Sequence, residues 1–209
     1  MLGTRERPVY PLMAQSESAT SRLARRIVWL SVQRRPDVRR TNVTRVKARR
    51  RETYRAGHAD LLLVCSPGGH LLQLHALAPV WTGYSRVWVT LAKSDARSLL
   101  QDENVVYAHG PAARNLPNLL RNLLLAWRTV RRVRPKVVLT TGAAVAVPFA
   151  WLGRLHGARV VYVESLARIV KPSLSCRLTA PIASRVYVQW PELVSQVSKA
   201  RYVGSVFGP

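Results

Sequence analysis

The chain has 209 residues, 48% of them hydrophobic, which is enough for a sizeable core and excludes global disorder. Lysine and arginine number 33 against 10 aspartates and glutamates, a formal net charge of +23. So large an excess implies an anionic partner: nucleic acid, anionic lipid or a phosphate-bearing substrate.

Residues 1–58 hold 15 of the basic residues and 4 of the acidic ones, and are rich in Ser, Thr and Pro. They read as a basic, largely irregular N-terminal extension. Its one amphipathic stretch is Arg22–Val32, and a basic run covers Arg45–Arg51. Such an arm is disordered or lies on a membrane surface, where each cation near anionic lipid contributes about 1 kcal/mol. A misassigned translation start is a third reading. The N-terminus has no continuous apolar segment of secretory-signal type. The longest uncharged stretch, residues 137–153, is interrupted by Gly142 and Pro148 and is shorter than the roughly 20 residues of a usual membrane span.

A second unit is expected over residues 59–209, where short Val- and Tyr-rich runs alternate with helical patterns. Strands are expected at 60–65, 86–90, 104–108, 136–140, 159–163 and 185–189, and helices at about 70–79, 94–101, 116–133, 144–156 and 173–183. That order predicts an α/β fold, a Rossmann-like doubly wound parallel sheet with helices on both faces. Ligands of such sheets bind at the carboxyl ends of the strands.

The first strand runs straight into Ser66-Pro67-Gly68-Gly69-His70 and then a helix. Gly68 and Gly69 allow close backbone approach, and a helix N-terminus suits a diphosphate. His70 at the mouth is a side chain able to take a proton near neutral pH. The plainer reading is a tight turn with a surface histidine. Thr140, Thr141 and Gly142 end the fourth expected strand and can hold phosphate or a sugar hydroxyl, or simply cap a helix. Glu164, Ser165 and Arg168 follow the next strand, where a carboxylate and a guanidinium can bind hydroxyls and phosphate, or pair with each other on a helix. Only six acidic residues follow residue 58, so Glu164 stands out.

Along 116–133, Leu116, Leu119, Leu120, Leu123, Leu124, Trp127 and Val130 recur at helical spacing, with Arg121, Arg128, Arg131 and Arg132 on the remainder. A core-packed crossover helix explains the apolar stripe; a helix lying on a membrane interface is the alternative. Gln189-Trp190-Pro191-Glu192-Leu193 ends the last expected strand. Two cysteines, Cys65 and Cys176, without a Cys-x-x-Cys spacing, fit a reducing cytoplasm and make no legible metal site.

In this order, Ser66–His70, Thr140–Gly142 with residues 146–149, Tyr162–Ser165 with Ala167-Arg168, Pro172-Ser173-Leu174 and Gln189–Leu193 resemble the Alg14-type proteins and their PssD-type and CpsF-type bacterial relatives. The resemblance spans residues 60–207. It implies the N-terminal half of a split GT-B glycosyltransferase, similar in fold to MurG, working on the cytoplasmic membrane face as a peripheral protein. An Alg13-like or PssE-like partner would bind the donor UDP-sugar, while this half binds a polyprenyl-diphosphate-linked saccharide acceptor in polysaccharide or lipid-linked oligosaccharide biosynthesis. The chain is expected to stop after Tyr202–Phe207, where a fused enzyme would continue. Pro67 departs from the family's small residue and removes one N–H donor from the loop.

On this reading the chain is the acceptor-side subunit of an inverting transferase that needs its partner and neither metal nor cofactor. His70 is the catalytic base; Ser66, Gly68, Gly69, Thr141, Gly142, Glu164, Ser165 and Arg168 bind substrate. The rival readings are a non-catalytic membrane scaffold that recruits the true enzyme, and a nucleic-acid-binding protein, which no helix-turn-helix, RNP or zinc pattern supports.

Overall fold

The computed structural model describes residues 58–112 and 115–207. The expected basic extension thus falls outside the described residues, apart from His58. The elements in chain order are β1 (Leu61–Val64), α1 (Gly69–Ala76), α2 (Ala78–Trp81), β2 (Arg86–Leu91), α3 (Ser94–Leu99), β3 (Val105–Ala108), α4 (Leu116–Val133), β4 (Val137–Thr140), α5 (Ala146–Leu155), β5 (Arg159–Val163), α6 (Leu174–Thr179), β6 (Arg185–Val188), a 3-10 turn (Pro191–Gln196) and β7 (Ala200–Tyr202).

Every pair in the sheet is parallel, in the order β3-β2-β1-β4-β5-β6-β7. The chain reverses its direction of growth between β1 and β4, which makes that point the crevice of the sheet. Strand residues alternate between two cores. Leu62, Val64, Val87, Val89, Val138, Val160 and Tyr162 meet α4, α5 and α6. Leu61, Leu63, Trp88, Val137, Leu139 and Val161 meet α1, α2 and α3. Burial on both faces is why the strands read as unbroken Val/Leu runs rather than alternating ones.

The expected Rossmann-like doubly wound sheet is therefore present, with differences that have local causes. The expected helix at 70–79 divides at Leu77, because Pro79 opens α2 and has no N–H to continue α1. The helix expected at 173–183 stops at Thr179, short of Pro181. β7 has no counterpart in the expected strands; three residues are too few for a periodic signal, and register with β6 holds them in place.

The largest difference concerns α4. The expectation that core packing explains its Leu stripe is corrected: Leu116, Leu119, Leu120, Leu123, Leu124 and Trp127 are exposed. The buried side carries Asn118, Asn122, Ala126, Thr129, Val130 and Val133. Two asparagines turn inward because the connection out of β3 needs hydrogen-bond partners. Asn122 Oδ1 accepts from His109 N at 2.8 Å and its Nδ2 donates to His109 O at 2.9 Å, while Asn118 Nδ2 donates to Pro111 O at 3.0 Å.

Candidate functional site

Three of the expected loops follow β1, β4 and β5, which are neighbours in the sheet, so they gather at one rim. The loop after β1 holds Ser66, half-exposed, and then Gly68, whose φ of 76° is a glycine conformation. Gly68 O accepts from Leu72 N at 3.0 Å and begins α1. The helix has no side-chain cap and no acidic residue in its first turn. A Cβ added at Gly68 or Gly69 would meet nothing within 4 Å, so the loop borders open space. The Gly68 N–H itself donates to Asp95 Oδ2 at 2.7 Å.

His70, in the first turn of α1, is half-buried. Its Nδ1 lies 2.8 Å from Thr141 O, and Thr141 Oγ1 donates back to His70 O at 2.8 Å. A carbonyl can only accept, so Nδ1 carries the proton. In the neutral ring Nε2 then keeps the lone pair. Thr141 is fully buried, and its hydroxyl is committed to the His70 backbone.

Thr140 Oγ1 accepts from Gly142 N at 2.9 Å. Gly142, with φ of 101°, is the one residue type this turn accepts, since a Cβ there would collide with the Tyr162 hydroxyl. Neither threonine caps α5, which begins after Val145 without a side-chain cap.

Beyond β5 the chain forms an irregular loop from 164 to 173, not a helix. Glu164 is 0% exposed. Its Oε1 accepts from Ser165 N at 2.8 Å and its Oε2 from Ser173 N at 2.8 Å, with Ser173 Oγ 3.0 Å from both oxygens. Ser173 in turn caps α6 by accepting from Cys176 N at 3.1 Å. The Glu164 carboxylate therefore clasps the two ends of the loop. Ser165 Oγ accepts from Ala167 N at 3.4 Å, and Arg168 stands exposed on the loop.

Burial, and then the Glu164 charge, push the Tyr162 phenol well above its ordinary value, so it stays neutral. Burial pushes the Cys65 thiol up to about 12. Among the described residues no three His, Cys, Asp or Glu side chains gather as a metal site. No described helix is long and apolar enough to cross a membrane.

The structure thus brings Ser66, Gly68, Gly69 and His70 together with Thr141 and Gly142, and sets Ser165 and Arg168 on the adjoining loop. It turns Thr141 and Glu164 inward. Sequence reasoning missed Asp95 and Gln73. Asp95 follows β2, the strand beside β1, and that adjacency was its one signal. Gln73 is buried on α1; its Nε2 donates to Glu164 O at 2.7 Å and its Oε1 accepts from Leu166 N at 3.1 Å. Trp190 Nε1 adds a bond to Leu166 O at 2.7 Å.

A family model described as oligosaccharide biosynthesis protein Alg14-like matches residues 109–206, which leaves out the glycine loop. A relative from Candida albicans, the UDP-N-acetylglucosamine transferase subunit ALG14, is 30% identical over 168 residues, 69% of this chain and 77% of its own length. The chain belongs to the Alg14 family. The Rattus norvegicus protein of the same name is 27% identical over 177 residues and is covered over 82% of its length. Acinetobacter baumannii MurG superposes with a TM-score of 0.55 at 19% identity, over 68% of this chain and 45% of that one. At that identity the likeness is one of fold. This Alg14-family sheet shares its fold with MurG over that span.

Proposed function

We propose that this Alg14-family chain is the acceptor-binding, membrane-attached subunit of a two-component inverting glycosyltransferase. The donor is a UDP-sugar, UDP-N-acetylglucosamine by the names of the relatives, held mainly by an Alg13-like or PssE-like partner. The acceptor is a polyprenyl-diphosphate-linked saccharide.

The observation that carries this reading is His70. Its Nδ1–H is tied to Thr141 O, so Nε2 is the atom able to accept a proton, beside a glycine loop that borders open space. In the reaction the acceptor hydroxyl oxygen bonds to the anomeric carbon from the face opposite the diphosphate. The carbon–oxygen bond to UDP breaks, UDP leaves with that electron pair, and the hydroxyl proton goes to His70 Nε2. A base so placed contributes about 10²–10⁴-fold.

The free N–H groups at the start of α1 suit the acceptor diphosphate, with Ser66, Gly68 and Gly69 alongside and Arg168 as a cation from the next loop. Thr141 and Gly142 position His70, and Glu164 and Ser165 shape the Arg168 loop, rather than meeting substrate directly. The exposed Leu and Trp face of α4, bordered by Arg121, Arg128, Arg131 and Arg132, suits peripheral attachment to the cytoplasmic face of a membrane.

The test is transfer of labelled UDP-N-acetylglucosamine onto a polyprenyl-diphosphate acceptor by the chain co-expressed with its partner. His70→Ala is expected to lower transfer by about 10²–10⁴-fold while partner pull-down is unchanged. Unchanged transfer removes His70 from the chemistry and favours the scaffold reading. Turnover by the purified chain alone overturns the two-component reading.

A further inference from the structure

We propose that the loop between β5 and α6 is a second bilayer-contacting element, which seats Ile169, Val170 and Leu174 among the headgroups of an anionic membrane beside α4. The inference rests on the membrane attachment proposed above and assigns it a second, separate part of the chain.

Four observations carry it. Ile169, Val170 and Leu174 are 48%, 68% and 70% exposed, although each is a side chain that burial would stabilise. The loop beneath them is pinned from several sides, so they cannot fold inward. Glu164 clasps its two ends, Gln73 and Trp190 hold Leu166, and Gln196 Nε2 donates to Val170 O at 2.6 Å.

Exposed Arg168 and Lys171 bracket the two apolar side chains. Between Glu103 and Glu192 the one carboxylate in the sequence is Glu164, and it is fully buried. α4, α5, α6 and the loop itself therefore present apolar and basic groups with no exposed acid, the exposed Glu192 lying on the neighbouring 3-10 turn, a complement to anionic lipid.

The fourth observation is topological. In a parallel sheet the helices after β3 and β5 begin at the same end as the strand-end rim, so Leu116 and Leu120 of α4 and the 168–174 loop both lie at that end, on one face of the sheet. Two contacts, unlike one helix, define an orientation: they tip the His70 rim toward the surface in which a polyprenyl chain is embedded.

The experiment uses the full chain. Cys65 and Cys176, its two cysteines, are both buried, so Val170→Cys supplies the sole exposed thiol for an environment-sensitive nitrobenzoxadiazole label. The same label on Ser98→Cys, exposed on α3 in the opposite layer, is the control. Vesicles of phosphatidylcholine with phosphatidylglycerol, some carrying brominated acyl chains, are compared with phosphatidylcholine alone. The expected result is a blue shift and bromine quenching at position 170 with the anionic vesicles and neither at position 98. The double variant Ile169→Ser/Val170→Ser is expected to weaken vesicle binding about tenfold.

Vesicle binding that leaves the 170 label unquenched, and that Leu120→Ser/Leu124→Ser abolishes, overturns the loop contact while the α4 attachment stands. A chain that binds no vesicle overturns both. A blue shift at 170 that grows with protein concentration without lipid makes a second copy of the chain the occupant and also overturns the proposal.

Discussion

His70 and Thr141 exchange two hydrogen bonds across the crevice between β1 and β4, each of 2.8 Å, although 71 residues separate them in the chain. One bond sets the imidazole; the other joins the backbone of α1 to the turn after β4. The two are separable by mutation. Thr141→Val removes the hydroxyl but keeps the carbonyl that holds Nδ1. It is expected to cost about 0.5–1.5 kcal/mol, since the His70 carbonyl loses one of its two donors and keeps the helical one, and to lower transfer far less than His70→Ala does. Urea unfolding and the transfer assay together check this.

Gly142 sits under the Tyr162 hydroxyl with φ of 101°. Gly142→Ala is expected to destabilise by about 1–3 kcal/mol from the backbone conformation alone, and by more from the collision. Tyr162→Phe removes the colliding oxygen, so Gly142→Ala should cost less in that background. A double-mutant cycle in urea measures the difference; equal costs in both backgrounds rule out the steric account.

Glu164 accepts bonds from Ser165 and Ser173 in a site closed to solvent. Glu164→Gln presents an amide to those donors and leaves at least one buried N–H unmatched, at about 1–3 kcal/mol. The loop it clasps carries exposed Arg168 and Lys171. Limited trypsinolysis should therefore cut the variant after Arg168 sooner than the parent chain, Lys171 being protected by Pro172.

Asp95 places a carboxylate on the Gly68 N–H, next to the proposed diphosphate position. Asp95→Asn keeps an acceptor oxygen and removes the like charge. The expected outcome is a several-fold lower KM for the diphosphate acceptor, with the effect shrinking as salt is raised. An unchanged KM places the diphosphate elsewhere.

Alkaline conditions test the buried thiols. The Cys65 pKa is raised from 9.0 to about 12 by burial, and burial raises Cys176 as well. The unfolded chain releases these protons first, so the stabilisation they represent is complete below pH 9 and is lost as pH rises toward 12. Unfolding midpoints should fall across that window, and neither thiol should react with a disulfide reagent at pH 8 until the chain unfolds.

The sequence by itself determined what depends on neighbours along the chain. Runs such as Val137–Leu139 and Val160–Val163 encode strands because β-branched side chains favour extended backbone, and their lack of alternation encodes burial on both faces. Gly68 and Gly142 marked turns for the same local reason, a backbone that needs positive φ. Tertiary structure alone decided the rest. α4 shows its leucines outward because Asn118 and Asn122 answer backbone groups between β3 and α4 that no periodicity records. Glu164 faces inward because Ser173 waits there, and Asp95 reaches Gly68 because β2 lies beside β1. A side chain's partner is a matter of spatial contact, and contact between distant segments is settled only when the sheet assembles.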